Sequence, residues 1–153
     1  MMTTTPVLIN LVSTARYGEG MPDLPMQLML KGEVNTEGPK TVIRYRETDQ
    51  DEDTGEVMHT DIQLTVEAEQ VMMERKGPFS NTMVFAKGRR FEGIYVTPYG
   101  EMDMATYTHT VQCDLTPEKG TIRLKYQLDV QGGFASTNEL RLEYVADGKE
   151  NVH

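Results

Sequence analysis

Apolar residues recur at every second position along most of the chain, and no amphipathic stretch with apolar residues every third or fourth position is long enough for a helix. The run Thr121–Gln131 is the clearest case. Ile122, Leu124, Tyr126, Leu128 and Val130 fall on one face, and Arg123, Lys125, Gln127, Asp129 and Gln131 on the other. Successive side chains of a strand point to opposite sides of a sheet, so this is a strand with one buried and one solvated face. The same period groups Ile62, Leu64 and Val66, then Leu28, Leu30, Gly32 and Val34, and then Leu140, Leu142 and Tyr144.

Turn signals separate these runs: TEGP at 36–39, EAEQ at 67–70, GPFSN at 77–81, AKGRR at 86–90, TPYG at 97–100, TPEKG at 116–120 and QGGFAS at 131–136. Together they predict ten strands, near 7–15, 26–36, 40–47, 57–66, 70–76, 81–86, 91–98, 101–115, 121–131 and 137–145. Within 101–115 the apolar parity switches. Met102, Met104, Thr106 and Thr108 share one face, and Val111, Cys113 and Leu115 the other, which predicts a bulge or sharp bend near Thr108–Thr110.

Short connections imply antiparallel hairpins between successive strands. A meander of one-sided strands must cover both its inner face and its edges, and closure into a barrel does both. The expected fold is therefore all-β: a single antiparallel up-and-down barrel of about eight to ten strands. A two-sheet sandwich is the alternative. The whole chain, 1–153, reads as one domain, with ends expected to fray near 1–5 and 147–153.

Composition adjusts this picture in three ways. Hydrophobic residues are 38% of the chain, low enough to suit a small barrel with polar groups pointing inward. The net charge of −9 argues against nucleic acid and against anionic membrane surfaces, since both need clustered Lys and Arg. The single cysteine, Cys113, excludes an intrachain disulfide, and no basic segment followed by a long apolar run opens the sequence. A cytoplasmic protein is the expectation.

Parity places Ile43, Tyr45 and Glu47 on one face of a strand and Val71, Met73 and Arg75 on one face of another, both directed inward. A lone inward carboxylate is costly, whereas an inward Glu with an inward Arg can pair. The expectation is a Glu47–Arg75 ion pair with hydroxyls from Tyr45, Tyr95, Thr97, Thr108 and Tyr126 around it. These seven residues are the candidate ligand contacts; the same network could instead seal one end of the barrel and fix register.

The acidic segment DQDEDTGE at 49–56 offers Asp49, Asp51 and Asp53 as alternating oxygen ligands for calcium. Gly55 stands one place late for an EF-hand loop, and Thr60 replaces the closing Glu, so a solvated acidic loop is the preferred reading. His59, His109 and His153 form no ligand pattern. His109 and Cys113 would lie about 13 Å apart on an extended strand. Cys113 is expected to be a small buried hydrophobe. No cofactor motif is present.

Several stretches carry a resemblance: IRYRET at 43–48, ERKGPFSNTMVFAKGRRFEGIYVTPYGEMDM at 74–104 and GTIRLKYQLDVQGGFASTNELRLEYV at 120–145. Tyr45 and Glu47, Arg75 and Gly77, Phe85 and Gly88, Tyr95 through Gly100, and Gly120 with Tyr126 keep the order of a known pattern. On these residues the chain resembles the bacterial YwiB-like family over roughly 26–145. The acidic loop 49–56 departs from that pattern. The resemblance implies a calycin-like barrel, similar to lipocalins and fatty-acid-binding proteins, and brings no function with it, the family being uncharacterised.

Three functional expectations follow. The first is a non-enzymatic barrel binding a small, partly apolar molecule inside. The second is a filled barrel acting as a structural or protein-interaction module, for which an unpaired strand edge would permit a homodimer. The third and weakest is an enzyme using Glu47 and Arg75 for acid–base chemistry.

Overall fold

The computed structural model describes residues 3–18, 20 and 22–148. Ten strands follow one another: β1 (Thr3–Arg16), β2 (Leu24–Glu37), β3 (Lys40–Gln50), β4 (Val57–Glu67), β5 (Gln70–Lys76), β6 (Asn81–Ala86), β7 (Arg90–Thr97), β8 (Gly100–Leu115), β9 (Lys119–Val130) and β10 (Gly133–Ala146). They form one antiparallel sheet in the order β6-β5-β4-β3-β2-β1-β10-β9-β8-β7. Every chain-neighbour pair except β6–β7 is laddered, and β1 pairs with β10 from Val7–Ala146 to Arg16–Thr137. That is the expected up-and-down barrel, nearly closed.

The seam lies between β6 and β7. At one end Ser80 and Val96 exchange two backbone hydrogen bonds, of 2.9 and 2.8 Å. At the other, Gly88 N–H donates to the Thr108 carbonyl at 2.8 Å, and Thr108 N–H to that of Arg89 at 3.1 Å. Tyr95 packs on Phe79 beside the seam, with ring centroids 6.1 Å apart.

The predicted strands all form, and the parity switch in β8 is a register shift between Thr108 and Thr110 against β9. A second bulge, between Phe134 and Ser136 of β10, has no alternation in the sequence to announce it. At the amino end, Thr3–Thr5 pair with Val34–Thr36, so the described part of the 1–5 segment lies in the sheet. At the other end, Asp147 N–H donates to the Pro6 carbonyl at 2.9 Å, while residues 149–153, His153 among them, lie outside the described residues.

The inward positions divide the barrel along its length. Its lower half, toward the β2–β3, β4–β5 and β8–β9 turns, is packed with fully buried Val7, Ile43, Leu64, Phe85, Ile122 and Leu142. Each such side chain contributes about 1.5–3 kcal/mol by leaving water. Tyr144 closes this end, its hydroxyl donating to the Thr116 carbonyl at 2.5 Å, with its ring over Gly120.

Cys113 corrects one expectation. It shares the inner parity of Val111 and pairs across from buried Ile122, yet it is exposed. β7 pairs with β8 only from Gly100 to Tyr107, and past the Thr108 bonds to Gly88 and Arg89 no ladder continues along that edge, so the thiol meets solvent.

In the upper half the wall parts. β2 pairs with β3 only from Gly32–Tyr45 to Glu37–Lys40, although β2 begins at Leu24 and β3 runs to Gln50. Above Gly32 and Tyr45 the β1–β2 hairpin separates from the β3–β4 hairpin. Leu24 and Met26, which have inward parity, are consequently exposed. Gly32 sits where the strands converge. A methyl group there would lie 2.7 Å from Ile9 Cδ1 and closer still to the Arg44 carbonyl oxygen. Overpacking against backbone cannot relax cheaply, so Gly32→Ala is expected to cost about 1–3 kcal/mol. Urea unfolding checks this, and an unchanged midpoint would contradict the close approach.

Candidate functional site

The upper interior gathers polar side chains from β3, β5 and β6 and from β8 and β9. Tyr45 and Glu47 project from β3, Arg75 from β5 and Asn81 from β6. The row Tyr45–Ile62–Arg75–Asn81 runs directly across the ladders β3–β4–β5–β6, which is why residues far apart in sequence meet. Opposite them, Thr106 and Thr108 of β8 stand beside Leu128 and Tyr126 of β9. The Tyr126 ring packs on Phe85, with centroids 4.7 Å apart, and marks the top of the dry core.

Glu47 and Arg75 do pair. Arg75 Nη1 donates to Glu47 Oε1 at 3.3 Å, with side-chain exposures of 31% for Arg75 and 21% for Glu47. The pair is thus half-buried, short of the full burial that would make its loss most costly. Asn81 Nδ2 makes a 3.5 Å contact with Met104 Sδ of β8.

Several polar atoms here are buried without a protein partner: Tyr45 Oη, Glu47 Oε2, Asn81 Oδ1, Thr106 Oγ1 and Thr108 Oγ1. Tyr45, Thr106 and Thr108 are only 5%, 1% and 0% exposed. Buried polar groups in folded proteins are usually satisfied, so such a concentration calls for something to bond to.

The phenols register the same surroundings. Burial pushes Tyr45 well above its ordinary value, the Glu47 carboxylate adds to the rise, and Arg75 opposes it. Burial likewise raises Tyr126, again against Arg75, and pushes Tyr144 up to about 12.

Of the seven candidate contacts, the structure brings together Tyr45, Glu47, Arg75 and Tyr126, with Thr108 next to Tyr126. Tyr95 stands apart against Phe79. Thr97 is occupied by its turn: its hydroxyl donates to the Gly100 carbonyl at 2.8 Å and accepts from Tyr99 N–H at 3.1 Å. Tyr99, at the tip of that turn, is fully in solvent. Asn81 and Thr106 were missed as site residues. The alternation Asn81, Met83, Phe85 would have found the first, and the shared parity of Thr106 with Thr108 the second.

In the acidic loop, Asp51 Oδ1 accepts from Asp53 N–H at 2.8 Å and Thr54 N–H at 3.2 Å, so this carboxylate serves the turn. Among the described residues, no group of three or more His, Cys, Asp and Glu side chains is placed to hold a metal ion. His59 Nδ1 lies 3.1 Å from the Thr48 hydroxyl, and His109 stacks edge-on to Tyr107. A groove of about 490 Å³ lies on the outer face of β2–β5, where Arg46 pairs with Asp61 at 2.7 Å and Arg44 Nε donates to Gln63 at 3.0 Å. It is solvated, carries both signs of charge and lies outside the barrel. Among the described residues no helix is long and apolar enough to cross a membrane.

Two expected outcomes follow. Removing one partner of a half-buried pair falls between the exposed and fully buried cases, so Glu47→Ala should cost about 1–3 kcal/mol in chemical denaturation. Wild-type stability in that variant would mean that the pair carries nothing. The second concerns pH. For Tyr45, Tyr126 and Tyr144 the folded state holds its proton more tightly than the unfolded chain. Stability is therefore fully present below the unfolded value of about 10 and falls as pH rises above it, for Tyr144 until about 12. Tyrosinate absorbance should show these phenols ionising late and together with unfolding. Early, independent titration of all seven tyrosines would contradict it.

Comparison with known proteins bears on the family and the fold. The sequence profile described as "Domain of unknown function (DUF1934)" matches residues 9–142. A curated relative, the "Uncharacterized beta-barrel protein YwiB" of Bacillus subtilis (strain 168), is 25% identical over 122 residues, covering 71% of this chain and 84% of the relative. The crystal structure of the ywiB protein from Bacillus subtilis superposes with a TM-score of 0.77 at 20% identity, over 95% of this chain and 94% of that one, which shows the shared fold. The chain belongs to the family described as a domain of unknown function, DUF1934, whose barrel protein YwiB it is similar to in sequence and in fold.

Proposed function

We propose that this protein is a non-enzymatic binding barrel that holds a small, partly apolar molecule in its upper interior. The observation that carries the reading is the set of buried, unpartnered polar atoms on Tyr45, Glu47, Asn81, Thr106 and Thr108 around the Glu47–Arg75 pair. A structural network that merely sealed the barrel would satisfy its own members, because a half-satisfied buried network is worse than an apolar core. The lower half is filled, so a ligand is confined to the upper part. There the parted β2 and β3 give access, and Leu24, Met26 and Leu28 offer apolar surface above the polar floor. Apolar walls with a few placed polar groups are what small-molecule sites use.

The packed lower half also supports a second reading, a protein-interaction module, for which the unpaired upper edge of β2 would be the contact. A catalytic role for Glu47 draws less support, since one of its oxygens is already held by Arg75.

Native mass spectrometry of the purified protein separates the readings. A binding barrel carries a small adduct that denaturation releases and that Tyr45→Phe diminishes. A bare chain mass from every expression host, with no thermal shift across a library of small amphiphiles, would overturn the proposal.

A further inference from the structure

Resting on that interior-binding reading, we infer that the ligand presents an uncharged, hydrogen-bonding head group, an amide or alcohol and not a carboxylate or phosphate, to the Tyr45–Glu47–Arg75 floor. The charge balance of the interior carries this. Below the rim, Glu47 and Arg75 are the charged side chains whose parity points inward among the described residues. Asp49, two residues on, is exposed at the rim and adds negative charge there. Arg75 is the group that would attract an anion, and Glu47 Oε1 already neutralises it at 3.3 Å. The second oxygen of the same carboxylate, Oε2, is buried and without a partner. An anionic head bound here would meet that oxygen as a like charge in a partly desolvated site, where repulsion is screened poorly.

The unpartnered atoms specify the complementary chemistry. Glu47 Oε2 and Asn81 Oδ1 are acceptors and require donors from the ligand. Tyr45, Thr106 and Thr108 carry hydroxyls that can donate as well as accept. A head with both a donor and an acceptor satisfies this set, whereas a carboxylate supplies acceptors alone. Above the floor, Leu24, Met26, Leu28 and Leu30 provide the apolar strip for the remainder of the molecule.

The test compares dodecanamide, dodecan-1-ol and dodecanoate at neutral pH by equilibrium dialysis against the full-length wild-type protein. The amide and the alcohol are expected to bind at least about tenfold more tightly than the carboxylate, the scale set by one unfavourable charge contact. In Glu47→Gln, which frees the guanidinium charge, the preference should narrow or reverse toward dodecanoate. The wild-type comparison decides even if that variant folds poorly. Dodecanoate binding as tightly as the amide to wild-type protein would overturn the head-group inference and leave interior binding standing. Binding of none of the three would overturn both.

Discussion

The ladder between the first and last strands turns a ten-strand meander into a barrel. β1 and β10 pair over ten residues, from Val7–Ala146 to Arg16–Thr137, and so join the two ends of the chain. Closing so long a loop costs conformational entropy that only the burial of both inner faces offsets. That burial is visible where the two strands meet: Ile9 and Leu11 face Tyr144 and Leu142, and all four are buried. Without this ladder β1 and β10 would be apolar edges, prone to pair with other chains.

Closure fixes the wall, and the wall divides the interior. The short strands β5 and β6 and the late start of β7 leave a seam held by bridges at its two ends. Parting of β2 from β3 above Gly32 opens the upper side. Between these openings the interior is polar, and below them it is dry. Tyr126 marks the boundary, with Phe85 against its ring on one side and Tyr45 and Arg75 acting on its phenol and surroundings on the other. An interior filled for stability alone would continue the Ile, Leu and Val packing of the lower half upward. Tyr45, Glu47, Arg75 and Asn81 interrupt it, at a cost in unsatisfied polar atoms.

Much of this was legible in the sequence because strand periodicity is a binary signal. Ile122 to Val130 alternates without a break, and the parity reversal around Thr108–Thr110 is the bulge itself written in residues. The Glu47–Arg75 pair followed from parity alone, although it spans β4, where Thr60 and Ile62 lie between them. Features that depend on where neighbouring strands stop were not legible. Cys113 has inward parity, yet it is exposed, beyond the point where β7 pairing ends. The parting of β2 and β3 likewise leaves no local mark, since Leu24 to Lys31 reads as a well-formed strand whether or not a neighbour lies beside it. Thr97 looked like an interior hydroxyl because its turn bonds to Gly100 and Tyr99 cannot be seen from parity.

We propose that the buried polar atoms of the upper barrel face a bound molecule and not one another. A high-resolution crystal structure of protein purified without denaturation tests it most directly. Density larger than a water molecule is expected, touching Tyr45 Oη and Glu47 Oε2 and running toward Leu28 and Met26. Density for water alone, or side chains turned to bond one another with the upper interior closed over them, would contradict it.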